Sequence, residues 1–138
     1  MAAELHTEGL QYILEAAFSE VQVPPANFYM GLATDASLAE GATLASLTEV
    51  SGTGYARQTV PSSAAGFTSA TTGTGDRKLT TSIETFTAGG NWTGANTVFL
   101  ATTIDGTGKL IASAPLSTTR TLANGDTLQV AIEIDLAG

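Results

Sequence analysis

The sequence predicts a mainly β domain, a β-sandwich or jelly-roll-like barrel of about seven or eight short strands with one N-terminal α-helix. Three observations carry this. Short segments of alternating apolar and polar residues recur from 27 to 136. Gly, Asn and Asp turns separate them. Only 13% of residues are charged while Thr, Ala, Gly and Ser abound, which suits many strands, tight turns and a surface that neighbours will cover. The 138 residues form a single domain, 1–138, with a helix over 7–20 and a β-rich body over 27–136. A chain of this length buries about two-thirds of its unfolded surface, enough for a core without staples.

The helix comes first. Thr7 is its expected cap, and Glu8 sits beside the positive end of the helix dipole. Leu10, Ile13, Leu14, Ala17 and Phe18 recur at helical spacing as one apolar stripe, and Pro24-Pro25 closes the segment. Residues 27–34 read as a strand with Phe28, Met30 and Leu32 on one face. Residues 35–48 read as a long loop, and 55–60 as a strand entered through Gly52-Thr53-Gly54. A weak strand near Phe67 and an exposed loop follow, up to residue 77. Residues 78–87 alternate until Phe86 breaks the phase, which predicts a bulge. Residues 97–103, 109–116 and 127–136 are the clearest strands. The last alternates over Leu128, Val130, Ile132, Ile134 and Leu136.

Composition excludes several classes of function. There is no cysteine and one histidine, His6, so disulfides and Cys/His zinc sites are out and a Ser-His-Asp relay is disfavoured. No metal, cofactor or catalytic residue is assigned. The net charge is −8, and the five cations, Arg57, Arg77, Lys78, Lys109 and Arg120, never form a run longer than two. Nucleic acid as a direct partner is therefore not expected, nor is an anionic membrane. No apolar run approaches the roughly 20 residues that span a bilayer, and Met1-Ala2-Ala3-Glu4 does not open like a secretory signal. Asp105-Gly106-Thr107-Gly108-Lys109 lacks the spacing of a phosphate-binding loop. Asp105 and Asp126 would bind calcium only if their loops met, and no EF-hand pattern is present. Glu133 and Asp135 point to one strand face, read as solvated rather than as a glycosidase pair.

Three stretches together carry a resemblance. The first is NFYMGLAT (27–34), after a helix containing Gly9. The second is LTEVSGTGYARQ (47–58), in which Gly-Tyr-Ala-Arg-Gln is the most telling element. The third is the closing series WTGAN (92–96), LIASAPL (110–116) and LANGDTL (122–128). Over residues 8–136 this order resembles small virion structural proteins of tailed bacteriophages, variously labelled tail fibre, capsid decoration or cement proteins. The resemblance implies a mostly β, non-enzymatic protein made in the bacterial host cytoplasm and carried in the virion, on the head surface ahead of the tail. Decoration proteins of this kind form trimers that bridge capsomers. The resemblance therefore implies a homotrimer whose partner is the major capsid protein or other virion subunits, stabilising the head across capsid joints. The alternative it leaves is a tail or neck fibre component that contacts glycans or a receptor.

Five residues stand out as partner-binding candidates: Arg57, Tyr55, Trp92, Leu10 and Phe18. On a strand, Tyr55 and Arg57 share one face and suit an acidic groove on a partner. The plain alternative for Arg57 is an internal salt bridge to Glu49. Trp92, among glycines, would stack on a sugar or anchor an interface; the plain alternative is a lid on the core. Leu10 and Phe18 belong to the helix stripe, which either covers one end of the sheet core or docks on a neighbour. The loops 35–48 and 61–77 are candidate interface arms.

Overall fold

The computed structural model describes residues 2–73 and 75–136. Its β elements are β1 (Glu4–Leu5), β2 (Asn27–Ala33), β3 (Gln58–Pro61), β4 (Phe67–Thr71), β5 (Arg77–Thr81), β6 (Glu84–Thr87), β7 (Ala95–Ala101), β8 (Leu110–Arg120), β9 (Thr127–Val130) and β10 (Glu133–Leu136). Helix α1 covers Thr7–Leu14 and runs into a π-helical turn, Glu15–Ser19. The paired strands form three antiparallel sheets, ordered β1-β8-β7-β2-β3, β10-β5-β4 and β6-β9. The fold is mainly β, and none of the three sheets closes into a barrel.

Side-chain alternation builds the core from the five-stranded sheet. Met30 and Leu32 of β2, Val98 and Leu100 of β7, and Ala112 and Ala114 of β8 point to one side. There they meet Phe86, Val130, Ile132 and Ile134 from the two smaller sheets. Ala33, Phe99 and Ala101 point to the other side, where Leu44 completes a second small core edged by Leu38, Ala42 and Leu47. The 35–48 segment is therefore a fitted cover over a sheet face, not a free arm. Thr34 and Thr48 close its base, and Asp35 accepts from the Thr48 N–H at 2.7 Å.

Three consecutive residues fasten this cover to the N-terminus. The His6 ring is fully buried, with Nδ1 3.0 Å from the Ala39 carbonyl and 3.2 Å from that of Glu40. Carbonyls only accept, so Nδ1 carries the proton and Nε2 accepts from the Ser113 hydroxyl at 2.7 Å. The Thr7 N–H donates to the Glu40 carbonyl. One Glu8 carboxylate oxygen accepts the N–H groups of Leu44 at 2.8 Å and Leu110 at 2.6 Å. The expected Thr7 cap is corrected here. His6 holds the cap position with extended backbone and makes no side-chain capping bond.

Two long strands prove to be bent. Thr81 bonds to Ile132, while the next ladder begins at Glu84 opposite Val130. Ser82 and Ile83 thus face Ala131 alone, which is the bulge that Phe86 signals in the sequence. The extra residue reverses the inward parity, so Leu79 and Thr81 are inside before it and Phe86 after it, while Ile83 stands 69% exposed. The continuous strand expected over 127–136 is likewise split into β9 and β10, in different sheets.

Candidate interaction surface

The Gly52–Gln58 segment is not a strand until Gln58. Gly52 (φ +150°) and Gly54 (φ +81°) turn the chain so that Tyr55 and Arg57 both reach Glu49. Arg57 grips Glu49 with two prongs, Nε to Oε1 and Nη2 to Oε2, each 2.9 Å. Its Nη1 donates to the carbonyls of Thr103 at 2.8 Å and Asp105 at 2.7 Å, tying down the β7–β8 turn. The guanidinium also lies 5.2 Å from the Phe99 ring centroid. With its side chain 6% exposed, Arg57 is an internal strut, and the salt bridge to Glu49 is present.

Tyr55 donates its hydroxyl to Glu49 at 2.7 Å and accepts the Leu32 N–H at 2.8 Å. Burial, reinforced by the neighbouring Glu49 carboxylate, pushes its phenol far above the usual range. Trp92 is 4% exposed, edge-on to the Tyr55 ring at 5.3 Å, and donates Nε1–H to the Thr53 carbonyl at 2.7 Å. Its buried position removes it as a stacking platform for a sugar. The most telling motif of the sequence thus serves the fold from within.

The carboxylates of Asp105, Asp126 and Glu133 are also occupied locally. The Asp105 carboxylate accepts from the backbone and hydroxyl of Thr107, which hold it below the ordinary carboxylate range. Asp126 accepts the Ala123 N–H. Glu133 lies 3.5 Å from Lys78. Among the described residues, no group of three or more His, Cys, Asp or Glu side chains is placed to hold a metal ion. Nor is any of their helices long and apolar enough to cross a membrane.

What stays open is the N-terminal face. Helix α1 and the π-turn put Gly9, Tyr12, Ile13 and Ala16 inward, so that of the expected stripe Ile13 faces the core while Leu10, Leu14 and Phe18 do not. A β-carbon on Gly9 would collide with the backbone of Ile111, so glycine is what lets the helix lie against β8. Tyr12 buries its ring and donates its hydroxyl to the Val23 carbonyl at 3.2 Å. Leu10 is left 37% exposed, Leu14 58% and Phe18 82%. Val21 and Val23 continue the apolar surface past Glu20, whose left-handed backbone (φ 56°) ends the π-turn. Beside it opens an apolar cleft of 430 Å³ lined by Ile13, Phe28, Phe67, Leu79, Ile134 and Leu136. Of the five residues singled out in the sequence, the structure keeps Leu10 and Phe18 together on this outer face. It withdraws Tyr55, Arg57 and Trp92 into the body. The cleft was not foreseen; its signals were the pairing of Tyr12 and Ile13 with Gly9, and the Leu136 that ends the last alternating strand.

Fold and surface define a small antiparallel β domain whose polar side chains brace it from inside and whose apolar helix face lies uncovered. The chain belongs to the family of the podophage GP4 fiber I protein gp80, whose family model matches residues 6–134. It is a structural protein of the phage virion. No curated protein matches it.

Proposed function

We propose that the chain is a fibre subunit of the virion that works by contact with neighbouring virion proteins and catalyses no reaction. The observation that carries this is the match over residues 6–134 to a family named for a fibre protein. The internal use of Arg57, Glu49, Tyr55 and His6, set against the uncovered Leu14–Phe18 face, supports an adhesive rather than a chemical role. Burial of such apolar surface at a joint favours the assembled state by mass action. The capsid-decoration reading, in which the major capsid protein is the partner and a trimer bridges capsomers, ranks second because the family name speaks for a fibre.

Immunogold labelling of purified particles tests the proposal. Label on fibres is the expected result. Label spread evenly over the head overturns it in favour of decoration. Hydrolysis of host polysaccharide by the purified chain would overturn the non-enzymatic part.

A further inference from the structure

We infer that the open N-terminal face docks on a second copy of this chain, with Phe18 of one copy seated in the apolar cleft of the other. The inference deepens the reading of the chain as a virion subunit that works by contact. Shape supplies the first argument. The chain carries both a projection, Phe18 with Leu14 and Val21, and a hollow of 430 Å³ with apolar walls. Neither is satisfied within one copy, since Phe18 is 82% exposed while the cleft stands open. A projection and a cleft carried by the same chain are the parts of a joint between copies.

Charge supplies the second. Strand parity and register put Phe67, Ser69 and Thr71 of β4, Arg77, Leu79 and Thr81 of β5, and Ile134 and Leu136 of β10 on the face that lines the cleft. Arg77 is the charged residue of these strands on that face. Lys78, Glu133 and Asp135 lie on the opposite one, where Lys78 and Glu133 pair. Arg77 hydrogen-bonds to the hydroxyls of Thr71 and Ser69, which carry no charge to offset its own. The projection is acidic: Glu15 and Glu20 flank Phe18, and the nearby cation, Lys109, lies 4.0 Å from Glu8 at the other end of the helix. Two copies joined in this way set carboxylates against Arg77, whereas joining two projections would set acid against acid.

Sedimentation velocity of the full chain over a wide concentration series tests this, with wild type beside Phe18→Asp, Leu136→Lys and Arg77→Glu. The expected result is reversible self-association of the wild type, weakened about tenfold or more by Phe18→Asp and by Leu136→Lys. Mixing those two variants restores a mixed pair, because one intact projection then meets one intact cleft. Arg77→Glu weakens association, and adding Glu20→Arg to it restores it. Thermal melts identify any variant whose fold has changed; Phe18→Asp should melt with the wild type. A wild type that stays monomeric throughout overturns the inference and gives the face to a different virion protein. An assembly untouched by Phe18→Asp also overturns it. Neither result bears on where particles carry the label, so failure here is distinct from failure of the fibre assignment.

Discussion

Arg57 and Glu49 form a two-pronged ion pair, 2.9 Å at each contact, in which the arginine side chain is only 6% exposed. The same guanidinium holds two carbonyls of the β7–β8 turn. Removing one member of such a pair strands a desolvated partner. Arg57→Met should lower stability by about 3 kcal/mol. Glu49→Gln should cost less, because Glu49 is 29% exposed and water can partly replace it. Urea unfolding of both single variants and the double variant measures the coupling, and additive effects would refute it.

Tyr55 gives a pH prediction. Its phenol is raised above the ordinary 10.0 by burial, with Glu49 adding to the effect. The folded state therefore holds this proton more tightly than the unfolded chain. The resulting stabilisation is complete below pH 10 and is lost as pH climbs beyond it toward the folded pKa. Alkaline unfolding should be steeper in the wild type than in Tyr55→Phe. At neutral pH that variant should be about 1–2 kcal/mol less stable, since Leu32 N–H loses its acceptor.

The His6 clamp should be visible in hydrogen exchange. His6→Ala leaves the carbonyls of Ala39 and Glu40 and the Ser113 hydroxyl without their side-chain partner. It also empties a fully buried site. A loss of about 2–4 kcal/mol is expected, with faster exchange concentrated in 39–48. Exchange that quickens evenly across the molecule would contradict a local clamp.

Gly9→Ala sets helix propensity against packing. Alanine favours a helix by about 1 kcal/mol over glycine, yet its methyl would meet the Ile111 backbone. Overpacking of this kind costs about 1–3 kcal/mol. Net destabilisation is expected in urea unfolding, and a stabilised variant would show that the helix can ride outward freely.

The difference between the expected and observed helix faces has a physical reason. A stripe counted on apolar side chains alone passes over Gly9 and Tyr12, which carry the inward face with Ile13 and Ala16. Gly9 contributes closeness rather than surface, and Tyr12 is an apolar ring with one hydrogen bond to place. The strand at 55–60 was overextended for a related reason. Tyr55 and Arg57 alternate like strand residues, but a shared partner, Glu49, fixes them. No local pattern announces a partner of that kind. The strands expected over 27–34 and 97–103 match β2 and β7 to within two residues, because each buries a regular face under its neighbours. The phase break at Phe86 was legible too, since a bulge leaves its mark in parity. The cleft was not, because its walls come from α1, β2, β4, β5 and β10, far apart in the chain.

The extra residue opposite Ala131 has a genetic consequence. Because Ser82 and Ile83 share one partner position, the ribbon through 77–87 can lose Ile83 and keep its later pairings, Glu84 with Val130 and Phe86 with Leu128. Deleting the Ile83 codon would straighten the ribbon and leave Phe86 in the interior, still opposite Leu128. The same deletion in the turn at 104–107 would disturb anchors, since Arg57 holds the Asp105 carbonyl and the Asp105 carboxylate holds Thr107. Of the two sites, the kinked ribbon is therefore the one that tolerates a shorter gene.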